Sequence, residues 1–155
     1  MTATAEISAR TPEDTARLAE RLGRRLRPGD VLLLEGPIGA GKTHFARCLI
    51  QSLMDTPEDV PSPTFTLVQT YDTAAGEIWH ADLYRLTSLD EIEELGLAEA
   101  FESAICLIEW PDRLGPLSPP GALTVRFESD PDDELARRIA FGWTDPRWKA
   151  VVEKL

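Results

Sequence analysis

Val31-Leu32-Leu33-Leu34-Glu35 runs without interruption into Gly36-Pro37-Ile38-Gly39-Ala40-Gly41-Lys42-Thr43. A short continuous apolar run reads as a strand buried on both faces, and such strands belong to the parallel centre of an α/β sheet. Beyond the glycines, Phe45, Leu49, Ile50 and Leu53 recur at helical spacing, so the loop joins a strand to a helix. Strand, glycine-rich loop and Lys-Thr in this order form a phosphate-binding P-loop. Glycines allow successive backbone N–H groups to point at phosphate oxygens, and the helix adds the positive end of its dipole. Lys42 supplies a charge for the β- and γ-phosphates, and the Thr43 hydroxyl can ligate Mg²⁺. The motif implies a nucleoside triphosphate.

The remaining chain fits one domain around that unit. With 155 residues, 43% hydrophobic and 28% charged, it is long enough for a full core, and residues 1–155 read as one unit without repeat or linker. A net charge of −11 with no basic cluster longer than Arg24-Arg25 or Arg137-Arg138 argues against direct, stable nucleic-acid binding. An acidic surface fits a basic protein partner better. No apolar run reaches membrane-spanning length, and Cys48 and Cys106 lie in apolar stretches as inert thiols. A reduced cytoplasm and no membrane association are the expectation.

Thr11-Pro12-Glu13-Asp14 reads as a helix start, with Leu18, Leu22 and Leu26 on one face. Phe65–Tyr71 and Ile78–Ala81 read as the two strands of an antiparallel hairpin. Ser88-Leu89-Asp90-Glu91 is a capping box opening an acidic helix, and Ala104–Ile108 is a second doubly buried strand. Pro116–Gly121 breaks the chain; Leu123–Phe127 and Ala136–Phe141 read as strands around an Asp-rich turn, with a short helix near Pro146. This order predicts a three-layer α/β P-loop NTPase fold, with a parallel central sheet and added antiparallel strands.

Hydrolysis needs an acid near the phosphates. Asp82 and Glu109 each end a strand, where open α/β sheets place their ligand crevice. One can hold Mg²⁺ while the other orients or deprotonates the attacking water. Thr64, in Ser62-Pro63-Thr64, follows the P-loop helix at a place suited to a segment that senses the γ-phosphate, although on spacing alone a Ser/Thr beside prolines is more often a strand start. His80 is two residues before Asp82, which suits a place on the same side of the strand hydrogen-bonded near it and equally suits a satisfied structural histidine. Arg85 and Arg113 are candidates for stabilising transition-state charge, with surface ion pairing the commoner role; Trp79 reads as core, and Trp110 as the wall of a base pocket or a partner contact. The chain contains no asparagine, so the Asn-Lys-x-Asp guanine device is missing and adenine is favoured by elimination.

Taken together, Ser62-Pro63-Thr64-Phe65-Thr66-Leu67-Val68, His80-Ala81-Asp82-Leu83-Tyr84-Arg85-Leu86 and Ile105-Cys106-Leu107-Ile108-Glu109-Trp110-Pro111 resemble, with the P-loop, the bacterial TsaE (YjeE) family. The resemblance covers residues 31 to 111. It implies a small ATPase using ATP and Mg²⁺, with weak intrinsic activity, in the synthesis of threonylcarbamoyladenosine at position 37 of tRNA. It also implies TsaD and TsaB as partners, whose complex performs the transfer. By the same resemblance Gly36, Pro37, Ile38, Gly39, Ala40, Gly41, Lys42, Thr43 and His44 hold the nucleotide, Lys42 and Glu109 are catalytic, and Thr43, Asp82 and Glu109 serve the metal. Thr64 is the switch-like threonine. His44 stands where a hydroxyl residue is common, and Asp112 where Glu is frequent. A small-molecule kinase is disfavoured, because a hairpin and an acidic helix fill the space where an acceptor pocket and lid belong. A non-hydrolysing ATP switch stays open.

Overall fold

The computed structural model describes residues 3–155; Met1 and Thr2, included in the single-domain reading, lie outside the described residues. One seven-stranded sheet organises the chain. Its strands are β1 (Ala3–Ala9), β2 (Val31–Glu35), β3 (Val68–Thr73), β4 (Gly76–Asp82), β5 (Ile105–Glu109), β6 (Leu123–Asp130) and β7 (Asp133–Trp143), in the order β1-β7-β6-β2-β5-β4-β3. The centre β6-β2-β5-β4 is parallel. Both flanks are antiparallel, through β7 and β1 on one side and β3 on the other.

Helices α1 (Pro12–Gly23), α2 (Lys42–Leu53) and α5 (Arg147–Glu153) contribute to the core on one face; α3 (Leu89–Glu94), α4 (Leu97–Ser103) and a 3-10 segment (Pro111–Leu117) contribute to the core on the other. The alternation of β4 and β5 divides their side chains between the two layers. Ile78, Ile105 and Leu107 join the core under α2, with Phe45 and Leu49, while Ala81, Cys106 and Ile108 join the core under α3 and α4. All five residues of β5 are buried, as expected for a central parallel strand. Burial pushes the Cys106 thiol up to about 12, which keeps it protonated and inert.

The N-cap of α1 is Thr11, which accepts from the Asp14 amide at 3.1 Å, and that of α3 is Ser88, which accepts from Glu91. Three readings change. The strand expected from Phe65 starts at Val68, because the Leu67 amide bonds back to the Pro63 carbonyl at 2.8 Å and Leu67 takes a left-handed φ of 69°, closing a turn that leaves Phe65 79% exposed. The acidic helix divides at Gly96, whose φ of 80° ends α3 and caps α4. Ala3–Ala9, which carries only one large apolar side chain, forms the edge strand β1 by pairing with β7.

Candidate functional site

β2, β4 and β5 end at the same edge of the sheet, and Asp82 and Glu109, the last residues of β4 and β5, line a cleft of about 430 Å³ together with the P-loop. Gly36 turns the chain away from β2 with a φ of 145°. Its position is tight, since a Cβ there would lie 2.7 Å from the Phe127 carbonyl of β6. Glycine is required by that close approach. Gly39 and Gly41 also take positive φ, of 80° and 105°. Unlike α1, the α2 helix has no side-chain cap and no acid in its first turn, so its leading N–H groups remain available to an anion.

Lys42 is 5% exposed. Its ammonium contacts the Gly36 carbonyl and lies 3.5 Å from the centre of the Trp110 ring. Burial lowers the Lys42 pKa from the ordinary lysine range, while Glu109, Asp82 and Asp112 oppose that shift. Trp110 is presented by an unusual backbone: directly after β5 it takes φ 59° and ψ 53°, a left-handed conformation uncommon for a large residue. Tyr84 packs on its ring, with centroids 4.8 Å apart.

Asp82 and Glu109 are register partners on adjacent parallel strands, 6% and 2% exposed. The Thr43 hydroxyl, in the first turn of α2, donates to Glu109 Oε1 at 2.8 Å and lies 3.1 Å from Oε2. Asp82 Oδ1 accepts from the Tyr84 amide at 2.9 Å, and Oδ2 receives a long 3.4 Å bond from Thr64. Thr64 also shares a 2.7 Å hydrogen bond with Ser62. Thr43, Thr64, Asp82 and Glu109 thus meet on one cleft. Their donors are all oxygen, a set that suits Mg²⁺ better than a softer metal. Among the described residues no group of three or more His, Cys, Asp or Glu forms a metal cage. A magnesium ion carried by phosphates and water needs only one or two protein oxygens.

The structure moves the partner expected for His80. The ring shares Asp82's side of β4, but its hydrogen bond goes to Glu109 Oε2, 2.7 Å away across the strand pair. His44 lines the cleft, with Nε2 3.1 Å from the Pro12 carbonyl and the ring beside Cys48. Ile38, at the loop tip, is 75% exposed. Neither Arg85 nor Arg113 forms an ion pair among the described residues: Arg85 stacks on Phe65 at 4.4 Å and Arg113 donates to the Tyr84 carbonyl. Trp79 is half-buried against the second core and donates to Glu77.

One contact had no signal in the sequence. Arg137, on β7, donates from Nε to the Ala40 carbonyl at 3.0 Å and from Nη2 to Gly39 at 3.4 Å. It engages the outward carbonyls of the P-loop from behind. Only the fold brings together residues 97 positions apart in the chain.

Comparison with known proteins agrees with this geometry. Residues 9–139 match the family model described as threonylcarbamoyl adenosine biosynthesis protein TsaE. The tRNA threonylcarbamoyladenosine biosynthesis protein TsaE of Rickettsia felis is 44% identical over 75% of this chain and 68% of its own length. That of Bacillus subtilis is 37% identical over 93% of this chain and 89% of its own. The crystal structure of Bacillus subtilis YdiB superposes with a TM-score of 0.81 at 29% identity, covering 99% of this chain and 95% of YdiB. On sequence and architecture alike, the chain belongs to the TsaE family.

Proposed function

We propose that this protein is the ATP-binding and ATP-hydrolysing component of the machinery that makes N6-threonylcarbamoyladenosine at position 37 of tRNA. In this reading it works in the cytoplasm beside the TsaB–TsaD complex and leaves the transfer itself to those partners. The observation that carries it is the Thr43–Glu109 hydrogen bond, 2.8 Å long, which couples the P-loop helix to the acid at the end of β5. A binding loop alone needs no such link; a hydrolytic site does.

The Gly36–Thr43 backbone and the first turn of α2 receive the phosphates, with His44 beside them. Lys42 leaves the Trp110 face to meet the β- and γ-phosphate charge. Thr43, Asp82 and Glu109 hold Mg²⁺, directly or through water, and the ion when bound neutralises charge that develops on the phosphate oxygens. Glu109 orients the attacking water, and such positioned acid–base groups contribute about 10²–10⁴-fold. Thr64, tied to Asp82, is placed to respond when the γ-phosphate is present or lost. Acidity of the surface, −11 overall, favours protein partners over a direct grip on RNA.

The test is ATP turnover with Mg²⁺, measured with and without TsaB and TsaD. Stimulation by the partners, with turnover lost and ATP binding kept in Glu109→Ala, is the expected result. No stimulation together with unchanged turnover in Glu109→Ala overturns it.

A further inference from the structure

We propose that His80 is the positioning residue for Glu109: a buried imidazole that donates from Nε2–H and fixes the carboxylate toward the nucleotide cleft. This assignment rests on the hydrolytic role proposed for Glu109. His80 is wholly buried, and its Nε2 lies 2.7 Å from Glu109 Oε2. The pair forms because β4 and β5 are parallel neighbours with Asp82 opposite Glu109. His80, two residues earlier on the same face, becomes the diagonal neighbour of Glu109. On its other side the carboxylate takes the Thr43 hydroxyl. Two donors from two different elements therefore hold one side chain, the α2 helix from one side and the β4 strand from the other.

The second ring nitrogen settles the tautomer. Nδ1 of His80 is buried and has no hydrogen-bond partner among the described residues. A proton there would place an N–H in a buried site without an acceptor, whereas an unprotonated nitrogen leaves only an unused lone pair. Carrying a hydrogen on Nε2, the ring donates to Glu109. Rotation of the carboxylate would break one donor or the other, so its remaining lone pairs keep a fixed direction at the cleft. A residue that orients the water by its own orientation depends on such support.

Two measurements test this. The first uses the unaltered, nucleotide-free protein. Its two histidines make ring assignment by long-range proton–nitrogen NMR simple, with the His44 signals identified by their loss in His44→Gln. A hydrogen on Nε2 of His80 is expected; an Nε2 without its hydrogen overturns the assignment. The second compares His80→Gln, His80→Asn and His80→Phe for ATP affinity by calorimetry and for kcat with Mg²⁺ and partners. Glutamine can place an N–H near the Nε2 position, and asparagine cannot reach it. His80→Phe and His80→Asn are expected to lose about 10-fold or more in kcat, the range for supporting residues. ATP affinity stays within about two-fold and His80→Gln recovers most of the rate. Equal losses in the Gln and Asn variants, or full turnover in His80→Phe while Glu109→Gln is inactive, overturn the positioning role alone. Full turnover in Glu109→Gln overturns the hydrolytic reading itself and this assignment with it.

Discussion

The central strands β2-β5-β4 and the wing β6-β7-β1, which joins them through the parallel β2–β6 pair and is antiparallel beyond it, share one sheet but not one task. Side chains given chemical roles in the proposed function sit at the ends of the centre: Lys42 and Thr43 after β2, Asp82 closing β4 and Glu109 closing β5. Parallel strands leave together at one edge and return through helices, so their last residues converge on a common crevice. The wing returns by a tight turn at Pro131-Asp132, keeps a polar outer face, and adds no acid to the cleft. Its contribution is to support. Phe127 packs edge-on against Phe45 of α2 with ring centroids 5.2 Å apart, and Arg137 holds two P-loop carbonyls.

If the wing supports and the centre reacts, substitutions should separate stability from binding. Phe127→Ala removes a fully buried ring and should cost about 3–5 kcal/mol in urea-induced unfolding. A loss below about 1 kcal/mol would break the comparison. Lys42→Ala should weaken ATP binding by about 1.5–3 kcal/mol in calorimetry, the range for hydrogen bonds to charged groups, without a comparable fall in stability. Arg137→Ala tests the side-chain contact from β7 to the P-loop carbonyls. Each lost carbonyl contact should weaken ATP binding by about 0.5–1.5 kcal/mol, although Arg137 need not touch the nucleotide. If affinity is untouched, the bracing is structural ornament. Arg126→Ala removes an exposed pair with Glu35, 3.1 Å apart, and should change unfolding by less than about 1 kcal/mol and binding not at all.

The centre was legible in the sequence and the wing much less so. Local patterns disclose the P-loop, because strand, glycines and helix are consecutive, and they disclose Asp82 and Glu109, because each ends an apolar run. Trp110 is different: its ring reaches Lys42 only because the residue adopts a left-handed backbone, which no pattern of residue types signals. The His80–Glu109 bond depends on which strands are neighbours and in which register, a property of the folded sheet. β1 escaped for the same reason, since its pairing with β7 rather than its own hydrophobicity makes it a strand. Leu67 misled through strong β-branched and aromatic neighbours, whose propensity yields to the turn closed by Pro63.

The close approach of Gly36 to the Phe127 carbonyl has a bearing on how the protein is made. Gly36 through Thr43 leave the ribosome long before β6 and β7. Until those strands have emerged and docked beside β2, the loop has neither the backbone wall behind Gly36 nor the Arg137 contacts to Gly39 and Ala40. A nascent chain therefore carries the whole glycine-rich motif while lacking its finished shape, which arrives late, with the last strands of the sheet.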